Sequence, residues 1–158
     1  MDTNQSRDAQ AAAHLGFHCT RAAFTNPAHD ATDHTGTVLF TIAGGQVWIN
    51  ILLGEVTTVF QNSDPVVTIV ADSTVGTDVT LASTVDTTSL EAGGFLTIEG
   101  DGSALMKANA GSIAIPRIRG FAVGTGTIKY HVAATKTGAT KWDCWWWPLD
   151  EGATVVSG

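Results

Sequence analysis

Thr37-Val-Leu-Phe-Thr-Ile-Ala-Gly-Gly-Gln-Val-Trp-Ile-Asn-Ile-Leu-Leu53 is the stretch that decides the fold. Val38, Phe40 and Ile42 alternate with Thr37, Leu39 and Thr41, a period of two that puts one set on each face of a strand. Gly44-Gly45 then supplies a tight turn, and Val47, Ile49, Ile51 and Leu53 resume the alternation. The stretch reads as two strands joined by a glycine turn. Gly54 interrupts the second strand, which is expected to continue through Val56 to Phe60 after a bulge or bend.

The pattern extends outward from this stretch. Asn62-Ser-Asp-Pro65 signals a turn, residues 66–71 and 78–83 read as short strands, and Phe95 to Ile98 reads as another. Ile118 to Val123 fits an edge strand, and Thr127 to Ala134 alternates cleanly. Eight to ten short strands separated by turn signals predict an all-β chain, an antiparallel β-sandwich or barrel over residues 35–158. Residues 1–34 differ, with more Ala, His and polar groups and few β-branched side chains. They are expected to form a largely irregular arm, with a short helix over 5–15 as one alternative.

Lys141-Trp-Asp-Cys-Trp-Trp-Trp-Pro148 holds four of the five tryptophans. On a strand, Trp142, Cys144 and Trp146 share one face, and Trp145 and Trp147 the other. One face fills the chain's own core; the other must meet a second sheet, a neighbouring subunit or a flat ligand such as a sugar. The candidate contact residues are Trp145 and Trp147, with Trp48, Phe17 and Phe24.

Composition narrows the function classes. A chain of 158 residues fits one domain with a real core. Charged residues are 15% of the chain, well under the usual share of about 25%. A net charge of −7 with no basic stripe argues against nucleic acid as partner. No apolar run is long enough to span a bilayer, and the N-terminus lacks the pattern of a secretory signal. Cys19 and Cys144, the only cysteines, are far apart in sequence, and a buried free thiol is the expected state of Cys144, with a disulfide as the alternative.

No reaction chemistry stands out. His14 and His18 have helical ligand spacing without the glutamate of a zinc protease. Glu99-Gly-Asp-Gly102 lacks the ligand order of a calcium loop and reads as a turn. Ser103 sits in no nucleophile elbow, and His131 falls on a strand with no acid or nucleophile placed for it. No catalytic residue, metal site or cofactor is expected, and the protein is not expected to be an enzyme.

Val38-Leu-Phe-Thr-Ile-Ala-Gly-Gly-Gln-Val-Trp-Ile-Asn-Ile-Leu-Leu-Gly-Glu-Val-Thr-Thr58 resembles the start of a group of small structural proteins of tailed bacteriophages. The similarity continues in Ile69-Val-Ala-Asp-Ser-Thr-Val-Gly-Thr-Asp-Val-Thr-Leu81 and in Pro148-Leu-Asp-Glu-Gly-Ala-Thr-Val-Val156, covering the chain from about Thr35 onward. The tryptophan run before Pro148 is denser than in that group. The resemblance implies a virion component, foremost a capsid decoration (cement) protein on the outer head surface, made in the host cytoplasm. Its implied partners are the major capsid protein and further copies of itself, in a trimer. The alternatives are a carbohydrate-binding or adhesion module and a small tail or fibre protein.

Overall fold

A computed structural model describes residues 15–25, 36–60, 66–87, 90–98, 106–108, 120–132 and 137–158. Eleven strands run through them: β1 Phe17–Thr25, β2 Thr37–Ala43, β3 Val47–Thr58, β4 Val66–Ser73, β5 Val79–Asp86, β6 Phe95–Thr97, β7 Met106–Ala108, β8 Phe121–Val123, β9 Gly126–Val132, β10 Ala139–Pro148 and β11 Thr154–Ser157. One sheet has the order β1-β10-β3-β6-β7, with β8 also paired to β3, and will be called sheet A. Sheet B has the order β11-β2-β9-β4-β5. Every pairing is antiparallel, and the two sheets pack face to face without closing. The fold is an all-β sandwich.

Alternation places the core as the strand pattern requires. Sheet A turns Ile49, Leu52, Val56, Trp142 and Cys144 inward, and sheet B meets them with Phe40, Ile42, Ile69, Ile128 and Tyr130. Trp142 sits at the centre. Its ring meets Tyr130 edge-on at 5.9 Å, and Phe24 meets Tyr130 from the other side at 5.5 Å. The Trp142 indole N–H donates to Thr140 Oγ1 at 3.2 Å, and the Tyr130 hydroxyl is hydrogen-bonded to the same threonine. Thr140 thus satisfies the two polar tips that these aromatics carry into the core.

Strands β2 and β3 form where expected but do not pair with each other, since the Gly44-Gly45 turn carries the chain from sheet B to sheet A, and two bulges change which side chains face inward. In β2 the register with β9 slips at Leu39, so Leu39 and Phe40 are both buried. In β3, Ile49 faces Trp146 and Ile51 faces Trp145, which leaves Asn50 as the extra residue. The parity of β3 flips there: Val47 and Ile49 point inward before it, Leu52 and Val56 after it. Ile51 and Leu53, expected on the face of Val47 and Ile49, lie instead on the outer face. Gly54 is not the bulge. It is flanked by ordinary pairs with Trp142 and Leu96, and a Cβ there would stand 2.7 Å from the Trp142 ring. The glycine exists to let the indole lie against the β3 backbone.

The N-terminal segment departs from the expected irregular arm. Phe17–Thr25 is strand β1, paired residue by residue with β10 at the edge of sheet A. Its alternation is hard to read because an edge strand exposes most of its residues, and only Cys19, Arg21 and Phe24 turn inward to partial burial. Nearly all of the alternative helix over 5–15, and residues 26–34 of the arm, lie outside the described residues.

Gly54→Ala is expected to destabilise the protein by about 1–3 kcal/mol through overpacking against Trp142, measured by urea unfolding; an unchanged midpoint would contradict the contact. Burial raises the Tyr130 hydroxyl and the Cys144 thiol above their ordinary values of 10.0 and 9.0. Both protons are held more tightly in the folded chain. Below the ordinary thiol value neither state loses them and stability is intact. Above it the unfolded chain releases protons the folded chain keeps, so stability falls by up to about 1.4 kcal/mol per pH unit for each group. Denaturation at pH 8 and at increasing alkalinity is expected to show that decline, and Tyr130→Phe to make it shallower.

Candidate functional site

The outer face of sheet A is set by the side chains that alternation leaves over once the core is filled. On β10 these are Lys141, Asp143, Trp145 and Trp147; on β3, Trp48, Ile51, Leu53 and Glu55. Trp147 stands directly across from Trp48, and Trp145 across from Ile51. Trp48 keeps 38% of its surface exposed and Trp147 36%. Gly120 lets Trp48 lie flat, since a Cβ at that glycine would collide with the indole nitrogen. Phe17, 55% exposed, stands at the sheet edge opposite Trp146, in the inner-face row of Cys19 and Arg21, with its ring centre 5.1 Å from that of Trp146 and 6.4 Å from that of Trp147.

The other half of this face is polar. Lys141 and Glu55 pair across the strands at 2.7 Å, and both are partly exposed, so the pair is worth at most about 1 kcal/mol. Glu55 holds the Lys141 ammonium above its ordinary value. Between the two halves, His18 stacks on Trp145 with ring centres 4.5 Å apart and planes 17° from parallel. His18 Nε2 lies 2.8 Å from Asp143 Oδ1, and Thr20 Oγ1 donates to the same oxygen at 2.6 Å.

These three residues resemble a catalytic triad in composition only. A relay needs the acid on one imidazole nitrogen and the hydroxyl on the other. Here Thr20 and Asp143 both approach Nε2, and the threonine proton goes to the carboxylate. The group therefore clamps β1 to β10 across the sheet. Among the described residues no group of three His, Cys, Asp or Glu side chains could hold a metal ion. His14 of the His14/His18 pair lies outside them. A groove of about 320 Å³ opens at the end of sheet B, where Asp72 is the one carboxylate in its wall and is already paired with Lys129.

The contact residues expected from sequence divide on this map. Trp48, Trp145 and Trp147 gather on the outer face, whereas Phe17 stands at the edge on the side of Trp146. Phe24 does not join them, because it turns between the sheets against Tyr130 with the Arg21 guanidinium 5.4 Å from its ring. Ile51 and Leu53 belong to the face and were missed, since only an Asn inside an apolar run hinted at the bulge. The opposite outer face, on sheet B, carries threonines and the Lys129–Asp72 ion pair in place of exposed tryptophans.

No protein-family profile, curated protein or solved structure matches this chain. What the face can do rests on its own geometry. Covering the exposed third of one indole would bury roughly 90 Å² and contribute about 2 kcal/mol. Two such indoles beside Trp145 and Ile51 give a binding patch with apolar area at its centre and charge at its margin. No helix among the described residues is long and apolar enough to cross a membrane.

Trp142→Ala is expected to cost about 3–5 kcal/mol, whereas Trp48→Ala and Trp147→Ala should each stay within about 1 kcal/mol of the parent. Chemical denaturation of the three variants checks this division. Equal losses at all three positions would mean that the outward indoles serve the fold instead of a partner.

Proposed function

We propose that this protein is a structural component of a bacteriophage virion, a capsid decoration protein that binds the outer head surface and bridges major capsid subunits. The aromatic outer face of sheet A carries the reading. A sandwich that fills its core with Trp142 and Trp146 has no folding need for two further indoles one-third exposed on the same strand pair. Such a face suits a protein whose task is to be bound, and it accords with the resemblance of residues 38–58, 69–81 and 148–156 to phage structural proteins.

The mechanism is mechanical. Each copy would cover its Trp48–Trp147 patch against a neighbouring subunit and add buried area across joints that internal pressure tends to open. A cyclic trimer closes its own interfaces and matches the local threefold positions of an icosahedral shell. Repetition over the shell multiplies a modest contact into large total stabilisation. No catalytic step and no cofactor enters this function.

A second reading follows from the polar group beside Trp145. Aromatic rings flanked by His18, Asp143 and Thr20 offer both a stacking surface and hydrogen-bonding groups, as a glycan-binding adhesion module would. Imaging of intact particles separates the two. Stoichiometric, shell-wide copies of the protein are the expected result, and a few copies confined to a vertex or tail tip would contradict decoration. Glycan binding by the isolated protein that disappears in Trp145→Ala would favour the adhesion reading.

A further inference from the structure

The chain's two cysteines, 125 positions apart in sequence, face each other across the β1–β10 ladder. Five consecutive pairs run without a register shift from Phe17 opposite Trp146 to Arg21 opposite Trp142, and Cys19 opposite Cys144 is the middle one. Directly opposed residues of an antiparallel pair share one face of the sheet and have Cα atoms about 4.5–5.5 Å apart. A disulfide accepts Cα separations of about 4.4–6.8 Å. Both thiols are free in this structure. Cys144 is fully buried on the inner face, and Cys19 is partly exposed at the seam where the Ser157 backbone of β11 hydrogen-bonds to it.

We propose that Cys19 and Cys144 form a redox-closable pair, which a disulfide-class oxidant converts into a cross-strand disulfide locking β1 to β10. The accessible Cys19 acts first. Its thiolate attacks one sulfur of the oxidant RS–SR, the RS–SR bond breaks, and RS⁻ leaves with a mixed disulfide at Cys19. The Cys144 thiolate then attacks the Cys19 sulfur, the Cys19–SR bond breaks, and a second RS⁻ leaves. The two cysteine protons end on the two released RS⁻ groups, so two thiols lose two electrons and the oxidant gains them as two RSH.

The location makes the bond consequential. Strand β1 is an edge strand whose ladder runs to β10 alone, supplemented by side-chain contacts such as those of His18 and Thr20 to Asp143 and the Arg21 hydrogen bond to the Val38 carbonyl. An edge of this kind opens before the core does. A bond from Cys19 to Cys144 spans most of the chain, and long loops give the largest restriction of the unfolded state. The pair would stay reduced in a cytosol and close in an oxidising medium outside the cell. This inference does not depend on what the outer face of sheet A binds.

The test uses the full chain, reduced and then incubated with oxidised glutathione. The expected product is a monomer lighter by two hydrogens, with both thiols lost to titration in denaturant and the Cys19 and Cys144 peptides linked in a non-reducing map. Its Tm should stand roughly 10 °C above that of the reduced protein. Cys19→Ser should fold, since the position is partly exposed, and show no such rise. Two thiols remaining free, a glutathione adduct at Cys19 that does not resolve, or a covalent dimer would each overturn the proposal.

Discussion

Strand β10 is the constraint on which the other elements depend. It lies between β1 and β3, so it is fixed on both edges by hydrogen bonds, and its side chains must divide strictly between the two faces of sheet A. Trp142 fills the middle of the sandwich because Gly54 opposite it has no side chain and Thr140 satisfies its indole N–H. Once that ring is seated, Cys144 and Trp146 follow it inward. Trp145 and Trp147 have nowhere to go but out.

The bulge at Asn50 completes the outer face. If Asn50 took an ordinary place in the alternation, Ile51 and Leu53 would join Val47 and Ile49 in the core, and Leu52, Gly54 and Val56 would face out, away from Trp142. With the bulge, Gly54 meets Trp142 inside, while Ile51 faces out opposite Trp145 and Leu53 opposite Asp143. Asn50 is anchored, since its side-chain amide donates to the Leu15 carbonyl at 2.8 Å, just ahead of β1. The bulge also separates the two partners of β3, with β8 paired before it and β6 after it. One inserted residue thus anchors the segment ahead of the edge strand, divides the sheet and sets which apolar residues of β3 face out.

Much of this was legible in the sequence because the period-two signal is strong wherever one strand face is buried. The strands β2 and β3 with the glycine turn between them, the strand of β9 and the parity of the tryptophans could all be read directly, whereas the assignment of β2 and β3 to opposite sheets could not. Nor could the rest. The bulges at Leu39 and Asn50 insert one residue each, with no more signal than the Asn inside an apolar run, and parity beyond them inverts. Strand β1 is mostly exposed on both faces, so Phe17–Thr25 shows little of the alternation that marks a buried strand. The facing of Cys19 and Cys144 is a tertiary fact, as is the seating of Phe24 against Tyr130, which removed that residue from the candidate contacts. Gly54 looked like a break and proved to be a seat for a ring.

Function, on this reading, lives in the inequality of the two outer faces. Sheet B presents threonines and an ion pair; sheet A presents indoles that the fold does not use. Hydroxyl-radical footprinting of tryptophan oxidation, on the free protein and on the assembled particle, measures that inequality where it matters. Trp142 should be protected in both states, while Trp48 and Trp147 should react in the free protein and become protected on the particle. Equal labelling of Trp48 and Trp147 before and after assembly would contradict a contact role for this face.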